Sequence, residues 1–122
     1  MGFFRGLVWG LVLLVGCGLP GSISEKDFAR VTGTEYCQRL LECDRGFYLS
    51  EYYGMGDCVA HIERDLQDLL DLAEDLDCDY SANGAARAFE DLATMGCDDF
   101  YEGDFNNAVD KVWDECALSL FF

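Results

Sequence analysis

The chain has 122 residues, of which 24 are Asp or Glu and eight are Lys or Arg, giving a formal net charge of −16. That balance excludes nucleic acid as a natural partner, because binding it rests on basic groups that neutralise phosphate, and it disfavours anionic membrane surfaces. Plain solubility, cationic partners and divalent ions remain, and the length bounds the chain to one small domain with a single core.

The first sixteen residues have the layout of a targeting segment. Arg5 supplies a positive charge and GLVWGLVLLVG an uncharged apolar run behind it, the pattern of a secretory signal. A helix over residues 7–15 would rise about 14 Å, half of what a bilayer core demands, so cleavage is favoured over spanning. Continuing that helix to residue 23 would take it through Gly16, Gly18, Pro20 and Gly21, all helix breakers. The run ends in LVGC, with Leu14, Val15 and Gly16 before Cys17. This resembles the lipobox of bacterial lipoproteins. The resemblance implies a diacylglyceryl group on the Cys17 sulfur, cleavage of the bond before it, and acylation of the new amine. Small neighbours let a peptidase reach the backbone while the apolar run holds the thiol at the membrane surface. By the same resemblance, Gly18 stands where an Asp would retain the protein in the inner membrane of Gram-negative cells, which points to the outer membrane. Two or more acyl chains suffice for stable anchoring. The expected organisation is a signal peptide over 1–16, a lipidated tether over 17–23 and a cysteine-rich domain over 24–122.

Past the tether the pattern is helical. Ser24 with Asp27 three residues on is a capping-box variant, and Phe28, Val31, Leu40 and Leu41 follow among charges, predicting a helix over 24–43 with Gly33 as a soft spot. GFYLSEYYGMGD then reads as a connection. The clearest helix follows Asp57 as its cap, with Val59, Ile62, Leu66, Leu69, Leu70, Ala73 and Leu76 on one face and Asp65, Asp68, Asp71 and Asp75 on the other. A third helix starts after Ser81, carries Ala85, Ala88, Phe89, Leu92 and Met95 as its stripe, and breaks at Gly96. The last starts after Asp104 and buries Phe105, Val109, Val112, Trp113 and Cys116. No stretch alternates like a strand. The fold class is all-α, a small disulfide-stapled antiparallel array of about four helices.

Six cysteines follow Cys17. Cys58, Cys78, Cys97 and Cys116 are spaced 20, 19 and 19 residues apart, one helix plus one turn each time. In an antiparallel array Cys43, Cys58 and Cys97 fall at one end with Cys37 nearby, and Cys78 and Cys116 at the other. Export and an even count support three disulfides. Zinc is disfavoured, since no C-x-x-C pair occurs and His61 is the only histidine. Cys78 is expected to bond Cys116. Among the other four, Cys43 with Cys58 and Cys37 with Cys97 is favoured, while Cys37 with Cys58 and Cys43 with Cys97 is nearly as good.

The succession DFA, YCQRLLECD, GDC before a long acidic helix, CDYSANGA, ATMGCDDFYEG and VWDEC resembles the small cysteine-rich lipoproteins of myxobacteria and related predatory or soil bacteria. The resemblance covers the chain from Phe28 to Cys116. Many of those proteins carry a further cysteine pair at places matching Ala88 and Val109, which this chain lacks. The resemblance implies location and fold and adds nothing on mechanism.

Candidate chemistry is sparse. Asp75, Asp77 and Asp79 alternate like the start of a calcium loop, but Tyr80 and Ala86 stand where that loop needs Gly and Glu. Asp98, Asp99, Glu102 and Asp104 crowd around Gly103, with a polar turn as the plainer account. His61 beside Asp57 and Asp65 reads as surface decoration before it reads as a base or ligand. Tyr48, Tyr52 and Tyr53 read as packing under a loop before they read as a recognition surface. The terminal ALSLFF reads as core before it reads as an exposed patch. The expected function is a cell-envelope lipoprotein acting as a non-catalytic binding or structural module, held to the membrane by its lipid, with an unidentified protein or cationic partner. No cofactor is expected beyond the lipid on Cys17. A calcium-dependent acidic module is the alternative, and an enzyme the least supported, because one histidine and no free nucleophilic cysteine leave few catalytic parts.

Overall fold

The computed structural model of the chain describes residues 21–114 and 116; the leader, Cys17 and ALSLFF lie outside them. Six α-helices occur among the described residues: α1 (Glu25–Cys43), α2 (Arg45–Glu51), α3 (Met55–Asp75), α4 (Ala82–Thr94), α5 (Cys97–Tyr101) and α6 (Asp104–Val109). A 3₁₀ turn over Asp110–Val112 follows α6, and β1 (Asp79–Tyr80) pairs antiparallel with β2 (Trp113–Asp114). The all-α class holds. The three long helices stand where the periodicity places them, while α2 and α5 fill stretches read as connections.

The last helix is shorter than expected. It stops at Val109 and the chain runs through the 3₁₀ turn into β2, where the Ser81 N–H donates to the Val112 carbonyl at 2.7 Å. Tertiary pairing with β1 therefore claims the stretch that the apolar spacing assigns to a helix. Its start is set by Gly103, at φ 81°, a left-handed conformation that glycine adopts without a Cβ penalty.

Two helix starts also differ in detail. At Ser24 the hydroxyl donates to the Asp27 carboxylate at 3.1 Å and caps no backbone N–H. Gly54, not Asp57, is the cap residue of α3. Asp57 lies in the first turn and reaches back to accept from the Tyr53 N–H at 3.0 Å, satisfying a donor just outside the helix. Ser81 caps α4 as read, accepting from the Gly84 N–H at 2.9 Å.

Helix α1 is the centre of the domain, packed against α3 on one side and α4 on the other, with α2 and α5 against its C-terminal half. Its buried side chains are Phe28, Ala29, Thr32, Cys37, Leu40 and Cys43. They meet Leu66, Leu69, Leu70 and Ala73 of α3 and Ala85, Ala88 and Leu92 of α4 in one core, closed by Phe105, Val109, Val112 and Trp113. Leu76, expected in the α3 stripe, is half exposed past the helix end. Gly33 is a contact point and not a soft spot: a Cβ there would sit 3.4 Å from the Glu63 backbone nitrogen, so its bare Cα lets α1 and α3 approach closely.

Candidate functional site

The cysteines organise the two ends of the array. Cys37 bonds Cys58, Cys43 bonds Cys97 and Cys78 bonds Cys116, with Cα separations of 6.0, 5.3 and 6.0 Å. The Cys78–Cys116 bond is the one expected at its end. The favoured pairing at the other end, Cys43 with Cys58 and Cys37 with Cys97, is overturned in favour of its alternative. The reason is direction around α1. Six residues along a helix leave Cys37 and Cys43 about 120° apart, so that Cys37 faces the start of α3 and Cys43 faces α5. The insertion of α2 between residues 43 and 58 removes the tight loop that the favoured bond would have closed.

The end that holds Cys78–Cys116 also holds the chain's entry into the fold. Ile23, assigned above to the tether, is buried at 5% exposure and belongs to the domain. Its N–H donates to the Ala82 carbonyl at 3.0 Å, and its carbonyl accepts from the Tyr80 hydroxyl at 2.7 Å. The Tyr80 ring meets Phe28 edge-on at 6.2 Å. Burial, and then the charges of Glu25 and Asp27, push the Tyr80 phenol well above its ordinary value, so it remains a donor throughout the physiological range. The exposed acids Glu25, Asp27, Glu74, Asp75, Asp77, Asp79 and Asp114 are carried on the elements that meet at this end.

Asp75, Asp77 and Asp79 do not gather as a metal site. Asp77 is the helix terminator: at φ 59° it occupies the left-handed position after α3. Its N–H donates to the Glu74 carbonyl at 3.1 Å and that of Cys78 to the Ala73 carbonyl at 2.9 Å, the paired bonds of a Schellman motif. Among the described residues, the acids whose ligand atoms lie within 4.8 Å of one another are Asp99, Glu102 and Asp104, around the α5–α6 turn. The sequence marks that stretch by its crowding, and the turn at Gly103 folds three of its four carboxylates together.

The other candidates separate. His61 is exposed, with Nδ1 2.9 Å from the Asp57 carbonyl and 3.4 Å from an Asp57 carboxylate oxygen. The carbonyl only accepts, so Nδ1 carries the proton. Tyr48 is buried on the inner face of α2, Tyr52 is half-buried with its ring 6.2 Å from that of Tyr48, and Tyr53 is open to solvent. The three therefore do not share one surface. Burial, joined by neighbouring charges that include Asp65, raises the phenols of Tyr36 and Tyr52. A cleft of about 390 Å³ between α4 and α6 is lined by Asp91, Thr94, Asn107 and Lys111, with Lys111 ion-paired to Asp91 across it. Three cross-chain ties had no signal in single residues, because their partners are backbone carbonyls far along the chain: Tyr80 to Ile23, Tyr101 to Cys43, and Arg39 to Met95.

No family model, no curated protein and no solved structure matches the chain.

Proposed function

We propose that the mature chain is a lipid-anchored domain of the bacterial cell envelope, at the outer membrane, acting as a non-catalytic binding or structural module. The observation that supports it is the cysteine balance. Three disulfides take up Cys37, Cys43, Cys58, Cys78, Cys97 and Cys116. Of the seven cysteines this leaves Cys17, in the LVGC stretch behind the apolar run. Disulfides persist in oxidising compartments outside the cytosol, which agrees with a signal peptide, and an odd cysteine beside a complete set calls for a separate role. Replacing Cys17 by Ala should abolish incorporation of a fatty-acid analogue in growing cells and leave the precursor uncut. Equal labelling of variant and parent would refute the anchor.

A second reading has its own observation in the convergence of Asp99, Glu102 and Asp104, a set of hard oxygen donors of the kind that holds calcium. A cation that binds only the folded chain raises its melting temperature by mass action. Millimolar calcium should then raise the Tm of the parent and leave Asp104→Asn unchanged. A parent indifferent to calcium and chelator would remove this reading.

A further inference from the structure

We propose that the anchored domain stands with its β1–β2 end toward the bilayer and its α2 end, with Phe47, Leu49 and Tyr53, directed away from it. This rests on lipidation of Cys17. Its support in the fold is the pinning of Ile23 by the Ala82 carbonyl and the Tyr80 hydroxyl. Because Ile23 is part of the domain, the spacer from the acylated cysteine is six residue steps. At ~3.6 Å per step at full extension it reaches no more than about 22 Å. The domain is longer than that. Helix α3 has 21 residues and rises about 30 Å from its start beside Tyr53 to its end beside Cys78. A domain turned over, with α2 against the lipid, would require the spacer to run the length of α3, about 8 Å beyond its reach. The strand pair is therefore the near end, and a partner approaching from outside meets α2, α5 and the flanks of α3 and α4.

The processed chain carries a built-in probe of this arrangement. Of the two tryptophans in the sequence, Trp9 lies in the leader that processing removes, which leaves Trp113, buried in β2 at the near end. The full chain, produced with its own leader and purified as processed, would be reconstituted into phosphatidylcholine vesicles containing a dansyl-headgroup lipid. Energy transfer from Trp113 to dansyl would be compared with that from Tyr53→Trp in a Trp113→Phe background. Flotation and intact mass establish anchoring first. A chain that does not float, or that retains its leader, refutes the anchor reading and this orientation with it. For a chain that floats, transfer from position 113 should exceed that from position 53 severalfold, because resonance transfer falls steeply with distance and the two positions are ~30 Å apart along the domain. Equal transfer, or more from position 53, refutes the orientation alone. A second variant leaves the core untouched: twenty Gly/Ser residues inserted between Gly21 and Ser22 add a coil of roughly 25 Å r.m.s. span. They should lower transfer from Trp113, and unchanged transfer would overturn the claim that the short spacer sets the arrangement.

Discussion

Tyr80 shows how much one side chain fixes when its partner is backbone. Its hydroxyl bond to the Ile23 carbonyl and its edge contact with Phe28 hold the start of the domain against the strand pair. Burial and the nearby Glu25 and Asp27 make the folded chain hold that phenolic proton more tightly than the unfolded chain does. The contribution of such a group is complete below the unfolded value of about 10 and is lost as pH rises through the folded value above it. Tyr36 and Tyr52 shift in the same direction and add to the same window. Melts followed by circular dichroism should give a Tm without a tyrosine-linked fall up to about pH 9 and a decline above about pH 10. Tyr80→Phe should lose about 1 kcal/mol at neutral pH with the hydrogen bond and show a shallower alkaline decline. A variant whose decline matches the parent's would contradict the assignment. None of this could be read from the sequence, since Tyr80 and Ile23 are 57 residues apart and nothing local links them. Ser81, by contrast, was legible as a cap because its partner lies three residues on.

Where two elements meet, the bare Cα atoms of glycine set the spacing. At Gly84 a Cβ would lie 1.7 Å from the Lys111 carbonyl oxygen. Both sides of that contact are backbone, which no rotamer change can relieve. Gly84→Ala should therefore cost on the order of 3 kcal/mol or more in urea unfolding, since α4 and the 3₁₀ turn must move apart. Gly33→Ala meets its neighbour at 3.4 Å, and the ~1 kcal/mol gained in helix propensity offsets the crowding. Its stability should stay within about 1 kcal/mol of the parent. The reverse order of the two variants would show that the helix spacing described for the fold is wrong. The same contrast explains which elements were legible. Helices α1, α3 and α4 are long enough to repeat an apolar spacing of three and four residues, whereas α2 and α5 have seven and five residues and complete too few turns to show one. The end of α6 was misread because Val112 and Trp113 continue the helical spacing, and the pairing that diverts them comes from β1.

Across the whole molecule, three bonds with sequence separations of 21, 54 and 38 residues tie α1 to α3, α1 to α5, and the end of α3 to the end of β2. In the chain-entropy account each contributes on the order of 3 to 4 kcal/mol. That is a large share for a domain of about a hundred residues carrying a strong excess of negative charge. The bond between Cys78 and Cys116 was legible from antiparallel counting. The pairing of the other four was not, because it depends on which way Cys37 and Cys43 face around α1. Of the candidate metal ligands, the sequence marked the crowding around Gly103, but the gathering of Asp99, Glu102 and Asp104 there required the turn itself. An exported, fully cross-linked helical domain is the claim on which the functional proposal stands, and one experiment reaches it directly. Trypsin cuts after Arg30, Arg39, Arg45, Arg64, Arg87 and Lys111 place each of the six cysteines on its own peptide. A non-reduced digest of the chain purified from the envelope of the cells that make it should yield three linked masses: 31–39 with 46–64, 40–45 with 88–111, and 65–87 with 112–122. Free thiols on these peptides, or any other linkage, would contradict the fold and the compartment together.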